Sequence, residues 1–500
     1  MVRNSPDRPY RPESEGITAR EAPYSPLAYR RARRAASTHR GPTMLLGDGR
    51  QHSELLLMSL ARRRTPLRSR LRAGHLIQNA AALMLSSGGT ALLGVAFWAT
   101  AAHLASASNV GRASAEIAAL SLLAFIAQLS FGSIFDRFLP VIGKGTRSFV
   151  VHAYALCSAV ALAAGIIYLL AGFGHEFMPS SLGWRVLFAV SVVLWTIFAL
   201  QDSVLTGLRA TRWVPVENIL FALAKLALLP AALAVTAHQG LFLAWTVPVL
   251  AATAAVNWYL FRKRIPQHEA LNAAIEALPS AREIASLAMA QYAQALVNFF
   301  TPSIVVLIII TRLGPVAEAR YYVPTLIAGG VSGFLWNLNT SFLVEASRDP
   351  AGLRQHANIT IRAALVVLLP TVLIGIAFAP NILRIFGNGY AVHGTTLLRL
   401  QLLSLPGTAV TAFYSAFAWL DKRIWRLALR DLVLAASFFT LLFTFIGHFG
   451  VLAAGMATLT TSIFQVAFFL PIAIRRYRQT DPANGADGDA ATGDSALPAA

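Results

Sequence analysis

Residues 200–226 read LQDSVLTGLRATRWVPVENILFALAKL, so that one apolar segment ends, a short basic turn follows and a second apolar segment begins. Pro215 suits the first turn of a helix, because the N–H that proline lacks would have no partner there. Glu217 lies in the same turn, where the positive end of the helix dipole favours an acid. Both apolar segments are long enough to cross a bilayer. The stretch therefore predicts two membrane-spanning helices joined by a tight basic loop.

Polar side chains in this stretch are candidates for function, because an ionisable group inside a bilayer is costly and by default marks a functional path. We predict that Asp202 and Glu217 take part in ion coupling or gating; the alternative is that they pair with nearby arginines at headgroup depth. Asn218 and Lys225 are two helical turns apart and share one face of the second helix. Both are candidate substrate contacts. Lys225 either offers a cation to an anionic substrate or pairs with a carboxylate of another helix.

The composition is that of a polytopic membrane protein. Hydrophobic residues make up 56% of the chain and charged residues 13%, whereas an ordinary soluble domain is about 25% charged. The mean hydropathy is +0.57. The formal net charge is +19, but the basic residues crowd into the first part of the chain and into short clusters between apolar segments. Such clusters favour contact with anionic membrane lipid and control of orientation, and we expect no nucleic-acid partner.

Apolar segments long enough to span a bilayer follow one another through most of the chain. They lie near 76–104, 114–136, 148–172, 184–207, 215–237, 241–261, 285–311, 316–343, 359–386, 393–418, 426–447 and 450–474. The predicted fold is therefore an all-α polytopic membrane protein with about twelve transmembrane helices. Gly329 and Gly333 have the GxxxG spacing that predicts close packing of two helices.

The longest interior connection divides these segments into two six-helix bundles. The predicted parts are a disordered basic cytoplasmic arm at 1–75, an amino-terminal bundle at 76–262, a cytoplasmic connector at 263–284, a carboxy-terminal bundle at 285–474 and a disordered cytoplasmic tail at 475–500. Trp213 follows the fourth segment as Trp425 follows the tenth, which indicates a weak internal repeat. Repeated halves with an even number of spans are typical of transporters whose substrate site lies between the halves.

Basic loops alternate with loops of low charge along the chain. The loops that contain Arg137, Arg209 and Lys263 are basic, whereas the loops around His238 and His448 carry no lysine or arginine. By the positive-inside rule, this pattern predicts a multi-pass protein with both termini in the cytoplasm. Asp136 and Arg137, in the first basic loop, are candidate gating or ion-coupling residues.

Further polar side chains lie in the second set of segments. Gln291 and Asn298 lie on one face of the seventh segment, and Arg320 and Arg399 lie near the predicted outer edge. An arginine that points into a lumen could hold a phosphate through two parallel hydrogen bonds. These four residues are therefore candidate substrate contacts. For the two amides, hydrogen bonding between neighbouring helices is the alternative.

The sequence contains no recognisable catalytic or metal-binding pattern. Residues 143–146 read Gly-Lys-Gly-Thr and lack the upstream glycine and the Ser/Thr directly after lysine that a phosphate loop needs. The histidines show no metal-ligand spacing. A membrane polymerase or acyltransferase is a distant alternative, because it would require a large outer loop or a His–carboxylate pair. We therefore expect a protein that is not an enzyme and that has no cofactor or metal.

Two motifs resemble a known family. Residues 201–209 and 213–218 resemble the region between the fourth and fifth helices of bacterial polysaccharide-biosynthesis membrane proteins. These belong to the multidrug/oligosaccharidyl-lipid/polysaccharide (MOP) exporter superfamily. Residues 132–144 are similar to a loop motif of major-facilitator transporters, but the sequence Arg-Phe-Leu-Pro at 137–140 lacks the glycine of that motif. It resembles the polysaccharide-exporter family instead.

The resemblance implies a MATE-like exporter of two six-helix bundles around a V-shaped cavity. Members of the family move lipid-linked oligosaccharide from the inner to the outer leaflet. The chain would then be an ion-gradient-coupled flippase for an undecaprenyl-diphosphate-linked sugar in a bacterial cytoplasmic membrane, acting in polysaccharide or lipopolysaccharide synthesis. Its partners would be that lipid-linked sugar, membrane lipid and other glycan-assembly membrane proteins. A small-molecule or drug cation antiporter of the same superfamily is the alternative, with carboxylates such as Asp202 and Glu217 favouring a cationic cargo.

Overall fold

The described part of the chain is helical. The computed structural model describes residues 88–272, 281–350, 352–421 and 424–479, and the side chains of 281–291, 293, 294 and 424 lie outside that description. All regular secondary structure within these residues is helix, which confirms the predicted all-α fold. The predicted arm at 1–75 and the part of the predicted tail beyond 479 lie outside the described residues.

Fourteen helices are described, together with a 3-10 turn at Leu139–Val141 and a π turn at Leu260–Arg264. They are α1 Gly88–Leu104, α2 Ala107–Ala127, α3 Phe131–Phe138, α4 Thr146–Leu170, α5 Leu182–Gly207, α6 Trp213–Val235, α7 Gly240–Tyr259, α8 Ile265–Leu271, α9 Ala281–Leu313, α10 Pro315–Arg348, α11 Leu353–Arg384, α12 Asn388–Leu420, α13 Ile424–Phe449 and α14 Leu452–Arg478.

The long helices account for every predicted segment. Among the described residues, nine helices are long and apolar enough to cross a membrane. α10 and α12 are longer still, at 34 and 33 residues, but are more polar, and the described part of α1 is a shorter apolar helix. Helices α1, α2, α4–α7 and α9–α14 each overlap one predicted segment. The predicted polytopic membrane fold is therefore confirmed.

The predicted bounds of the second segment, 114–136, are wrong. The helix begins at Ala107 and ends at Ala127, and the next residues include Leu129 and Ser130 with φ angles of 49° and 62°. Side chains other than glycine rarely adopt this left-handed conformation, so the helix breaks here. The separate helix α3 then packs against α5 and buries Phe135. Burial of α3 explains why the apolar pattern continues past the break.

The glycine-based packing prediction is also wrong. A Cβ atom added at Gly329 or Gly333 would have no neighbour within 4 Å, so no helix in the described part of the chain approaches closely there. A close approach between helices lies at Gly111 of α2 instead, where an added Cβ would overlap the carbonyl oxygen of Pro315 in α10. A side chain at position 111 would force α2 and α10 apart.

Equivalent helices pack together in the two halves of the chain. α4 contacts α5 as α11 contacts α12, and α6 contacts α7 as α13 contacts α14. Most contact between the halves is made by α2, which packs against both α9 and α10. Trp98 of α1 adds an edge-on contact with Tyr322 of α10, with ring centroids 4.7 Å apart. The seam between the halves therefore runs along α2.

The basic loops of the first half meet at one end of the helices. His268 Nε2 of α8 lies 2.8 Å from the carbonyl oxygen of Ile142, and Glu269 accepts a hydrogen bond of 2.9 Å from the backbone N–H of Arg147. Arg264 donates to the carbonyl oxygen of Leu208 at 3.3 Å. These contacts join the loops after α3, α5 and α7, and we call this the basic end of the first half.

Candidate functional site

A cluster of acids and amides lies where α5, α6 and α7 meet. Gln201 donates a hydrogen bond through Nε2 to Glu217 Oε1, and Asn257 Nδ2 donates to Gln201 Oε1 at 2.9 Å. Asn218 Nδ2 donates to Asp202 Oδ2 at 3.2 Å. We call these five residues the acidic cluster. The tight loop between α5 and α6 brings four of them together, and α7 adds Asn257.

Amide groups, rather than basic side chains, hold the two carboxylates of the acidic cluster. None of the ion pairs within the described residues includes Asp202 or Glu217. Glu217 is only 6% exposed. One oxygen of each carboxylate, Asp202 Oδ1 and Glu217 Oε2, is buried and has no hydrogen-bond partner among the described residues. Since a buried carboxylate is costly unless it is paired or hydrogen-bonded, this cluster stands out from an ordinary packed helix interface.

Aromatic rings from three helices enclose Lys225. Its Nζ lies 3.6 Å from the ring centroid of Trp245 in α7, 4.9 Å from that of Phe221 in α6 and 5.3 Å from that of Phe97 in α1. The residue is only 5% exposed, and no carboxylate of the described residues lies within ion-pair distance of it. The faces of the rings stabilise the ammonium by cation–π attraction, about 2 kcal/mol at a desolvated site.

Asn218 and Lys225 share a face of α6 but have different surroundings. Asn218 lies in the acidic cluster, where its side chain also donates to the carbonyl oxygen of Val214 at 3.0 Å. Lys225 lies two turns further along the helix in the aromatic cage of Phe97, Phe221 and Trp245. The same face of α6 therefore carries a side chain of the acidic cluster and, two turns further on, a buried ammonium group surrounded by aromatic rings.

The second half contains a cavity of about 330 Å³ between α9, α10, α12, α13 and α14. Its walls include Asn298, Trp336, Thr411, Arg430, Asp431 and Gln465. Arg430 Nη2 lies 2.5 Å from Asp431 Oδ1, and its Nη1 donates to Ser415 Oγ at 2.7 Å. Asn298 Nδ2 donates to Asp431 Oδ2 at 3.2 Å. The positive charge of Arg430 on this cavity wall is therefore largely neutralised by Asp431.

The seam between the halves contains a buried carboxylate. Ser114 Oγ of α2 donates to Glu318 Oε2 of α10 at 2.5 Å, close to the contact of Gly111 with Pro315. Within the first half, Gln239, the residue directly before α7, donates to Glu116 Oε1 of α2 at 3.1 Å. Both glutamates are buried.

The remaining candidate residues are not brought to one place. Arg320 is half-buried in α10, and Arg399 is exposed in α12, where its Nε donates to the carbonyl oxygen of Ile376 in α11 at 3.1 Å. Asp136 and Arg137 are exposed on the short helix α3. The side chain of Gln291 lies outside the described residues.

Sequence reasoning missed four buried charged residues: Glu116, Glu318, Arg430 and Asp431. All four lie within predicted spans. Lys225 was selected because a charged side chain inside a membrane is costly and therefore marks a candidate functional site. The same argument applies to these four residues and would have found them.

Comparison with solved structures identifies the fold. No protein-family model and no curated protein sequence matches this chain. An inward-facing multidrug resistance MATE family transporter of the MOP superfamily is similar, with a TM-score of 0.54 at 15% identity over 78% of this chain and 95% of that chain. The lipid II flippase MurJ, in an inward closed conformation, gives a TM-score of 0.58 at 14% identity over 81% and 90%.

A MOP superfamily transporter from Pyrococcus furiosus is also similar, with a TM-score of 0.50 at 14% identity over 80% of this chain and 95% of that chain. These likenesses confirm the MATE-like polytopic fold that the sequence motifs implied.

Proposed function

We propose that this protein is a membrane transporter that flips or exports an anionic lipid-linked oligosaccharide. The observation that carries the proposal is Lys225, a buried ammonium that no carboxylate of the described residues neutralises. The diphosphate of an undecaprenyl-diphosphate-linked sugar is a strong acceptor that would interact with such a cation. The fold likeness to the lipid II flippase MurJ supports a cargo of this lipid-linked class.

In this proposal the candidate residues divide into two roles. Lys225 contacts the diphosphate when the aromatic cage opens, and Arg320 and Arg399 supply further positive charge from α10 and α12. Asn298 and Gln291 of α9 hydrogen-bond to sugar hydroxyls. Asn218 is bonded to Asp202 as Asn298 is bonded to Asp431, but Asn298 lines the cavity of the second half. We therefore assign Asn218 to the acidic cluster and keep Asn298 as a cargo contact.

The proposed setting is a bacterial cytoplasmic membrane, with both termini and the basic end of the first half on the cytoplasmic side. Anionic lipid of the inner leaflet would attract that end, and Asp136 and Arg137 on α3 would lie there as gating residues. The cargo would serve polysaccharide or lipopolysaccharide synthesis, with other glycan-assembly membrane proteins as partners. The two bundles, 76–262 and 285–474, would rock about the seam formed by α2.

A drug or small-cation antiporter is the second candidate function. The specific observation in its favour is the acidic cluster, where Asp202 and Glu217 have no basic partner among the described residues. A cationic cargo would bind there, and Lys225 would repel it. We favour the anionic cargo because both carboxylates lie beside the loop between α5 and α6, at the end of the helices, whereas Lys225 lies about two helical turns further into α6.

The experiment is mass spectrometry of lipid-linked sugars in a deletion strain, with leaflet assignment by a membrane-impermeant probe. Accumulation of one glycan lipid on the cytoplasmic side, reversed by re-expression, supports the proposal and identifies the cargo. Unchanged glycan lipids together with sensitivity to small cationic toxins would support the antiporter instead. Accumulation on the outer side would favour a polymerase or acyltransferase.

A further inference from the structure

Serine and threonine side chains form much of the wall of the cavity in the second half. Seven of them line it, together with the amides of Asn298 and Gln465 and the indole of Trp336. The residues of the wall come from α9, α10, α12, α13 and α14, which are all long helices. Polar side chains in membrane helices either hydrogen-bond neighbouring helices together or mark a functional path.

The hydroxyl protons of this wall are largely used within the protein. Thr301 and Thr458 each donate to the carbonyl oxygen four residues earlier in their own helix, at 2.9 and 2.7 Å. Ser404 donates to the carbonyl oxygen of Gln401, and Ser462 donates to that of Ser404, both at 2.7 Å. A hydroxyl that has donated its proton keeps lone pairs that can accept a hydrogen bond. The wall therefore offers hydrogen-bond acceptors to an occupant of the cavity.

Thr411 has a hydrogen-bonding group that the described residues leave unused. The residue is only 6% exposed, and its Oγ1 has no hydrogen-bond partner among the described residues. Native proteins rarely leave a buried polar atom in this state, so a buried hydroxyl on a cavity wall indicates a partner inside the cavity. Gln465 of α14 is half-buried on the same wall, and its amide can both donate and accept.

The cavity contains a charged pair but little net charge. Arg430 and Asp431 are the only charged residues among the described residues that line it. Arg430 donates through Nε and Nη2 to Asp431 Oδ1, and Asn298 donates to Asp431 Oδ2 at 3.2 Å. The guanidinium carbon also lies 5.6 Å from the ring centroid of Tyr414 and 6.0 Å from that of Phe469. Because the two charges satisfy each other, neither is available to hold an ionic ligand.

An aromatic surface and a limited volume narrow the choice of ligand further. Trp336 of α10 is 39% exposed and lines the cavity, so part of its indole is available for contact. The C–H groups of a sugar ring form an apolar face that packs against aromatic rings, whereas the sugar hydroxyls donate hydrogen bonds. A hydrocarbon chain would leave the acceptors of the wall without donors. The volume of about 330 Å³ lies at the lower end of the range for small-molecule pockets and suits a monosaccharide or disaccharide.

We propose that the cavity lined by Asn298, Trp336, Thr411 and Gln465 binds an uncharged sugar. Hydroxyls of the sugar donate to the acceptors of the wall, Thr411 bonds to one of them, and the ring packs against Trp336. A uronic acid would bring a carboxylate close to Asp431 without a cation to receive it, so the cavity selects against acidic sugars. The assignment of this sugar to the transported cargo rests on the proposed function, whereas sugar binding itself does not.

The test is saturation-transfer NMR on the full-length protein in lipid nanodiscs. The probes are the methyl glycosides of glucose, galactose, mannose and N-acetylglucosamine; nanodiscs are used because a glycoside detergent would compete for the cavity. At least one of these neutral glycosides should bind, and its uronic acid counterpart should bind roughly tenfold more weakly or not at all. Binding of none of the neutral glycosides, or equal binding of the uronic acid, would overturn the proposal.

Variants locate the bound glycoside. Thr411→Val removes one hydrogen bond to an uncharged group and should raise Kd roughly fivefold, and Trp336→Leu and Gln465→Met should each raise it several-fold. The matched control is Thr360→Val, because Thr360 is a buried threonine of α11 that lies outside the cavity and bonds to the carbonyl oxygen of His356 at 2.9 Å. It should bind as the wild-type protein does. Thermal unfolding verifies that each variant is folded.

The results that contradict the assignment are distinct from a failure of flipping. Wild-type Kd values in Trp336→Leu and Gln465→Met, both at positions that are not fully buried, would place the bound glycoside elsewhere and overturn the proposal. The glycosides carry neither lipid nor diphosphate, so their binding does not require transport. Sugar binding without flipping would contradict the proposed function alone, whereas flipping without sugar binding would contradict the cavity assignment alone.

Discussion

Lys225 is held by aromatic rings rather than by an opposite charge. The distance of 3.6 Å between its Nζ and the ring centroid of Trp245 is short for such a contact, and the rings leave the net charge of the ammonium in place. A salt bridge would have cancelled that charge. Because the ammonium of Lys225 keeps its charge, it is able to leave the weakly attracting aromatic rings and bind a stronger acceptor, such as a phosphate oxygen.

Replacement of Lys225 by Met should impair flipping while leaving the protein folded. Methionine keeps most of the side-chain length and removes the charge, so the aromatic packing persists. We expect a fall in flipping rate of roughly tenfold or more, equivalent to about 1.4 kcal/mol of lost interaction with the cargo. The leaflet assay checks the rate. Lys263→Met makes the same substitution at an exposed lysine and should have no effect. Wild-type flipping by Lys225→Met would remove this residue from the cargo path.

Arg430 and Asp431 are expected to matter chiefly for stability. Removal of one partner from a buried ion pair leaves the other charge unpaired, which typically costs about 3–5 kcal/mol. Arg430→Met should therefore lower Tm strongly, and the double replacement Arg430→Met with Asp431→Leu should restore most of the loss. Thermal unfolding in detergent measures both. An equal loss in the single and double variants would show that packing, and not the unpaired Asp431, is responsible.

The sequence could predict part of the acidic cluster. A tight loop between two spans places Gln201 and Asp202 beside Glu217 and Asn218, and this follows from spacing alone. The contribution of Asn257 could not be predicted, because it depends on how α7 packs against that pair of helices. The sequence predicts that Lys225 is an intramembrane charge. It could not predict the aromatic cage, because Phe97 of α1 and Trp245 of α7 are distant from Lys225 in sequence.

At the level of helices, hydropathy predicted that a membrane-spanning helix is present more reliably than it predicted the residues at which the helix begins and ends. Every long described helix overlaps an apolar segment, because a bilayer crossing needs a run of about 20 apolar residues. The break after Ala127 was missed because neither glycine nor proline marks it; Leu129 and Ser130 adopt the left-handed conformation. The crossing of α2 and α10 was missed because it uses a single glycine, Gly111, with Ala115 four residues later, and so lacks the two glycines of a GxxxG motif.

Substitution of Gly111 by Ala should disturb the seam between the halves. The added methyl group would meet the carbonyl oxygen of Pro315, so α2 and α10 would have to separate. We expect a Tm lowered by several degrees, since a shift of about 1 kcal/mol moves Tm by roughly 2–4 °C in a large domain. Gly333→Ala is the matched control, because its Cβ would meet no atom within 4 Å. Equal Tm values for the two variants would contradict the close crossing.

On the scale of the whole molecule, the two halves differ in their charge chemistry. Within the part of the chain that the structure describes, the first half has a cation without a carboxylate partner, Lys225, and carboxylate oxygens without a hydrogen-bond partner in the acidic cluster, whereas the second half has an ion pair, Arg430 and Asp431, on the wall of a cavity. We therefore expect the first half to supply the charge that attracts an anionic cargo. Motion of the halves would break the hydrogen bond between Ser114 and Glu318.

The most direct measurement is flipping by the purified protein in liposomes that contain a fluorescent lipid-linked oligosaccharide. An impermeant reagent that destroys the fluorescence of the outer leaflet reports the fraction of lipid that has crossed the membrane. The account predicts that the wild-type protein makes nearly all of this lipid accessible, and that Lys225→Met liposomes stay close to the protein-free level. Equal accessibility with and without protein, across lipid-linked sugars that carry a diphosphate, would contradict the central claim.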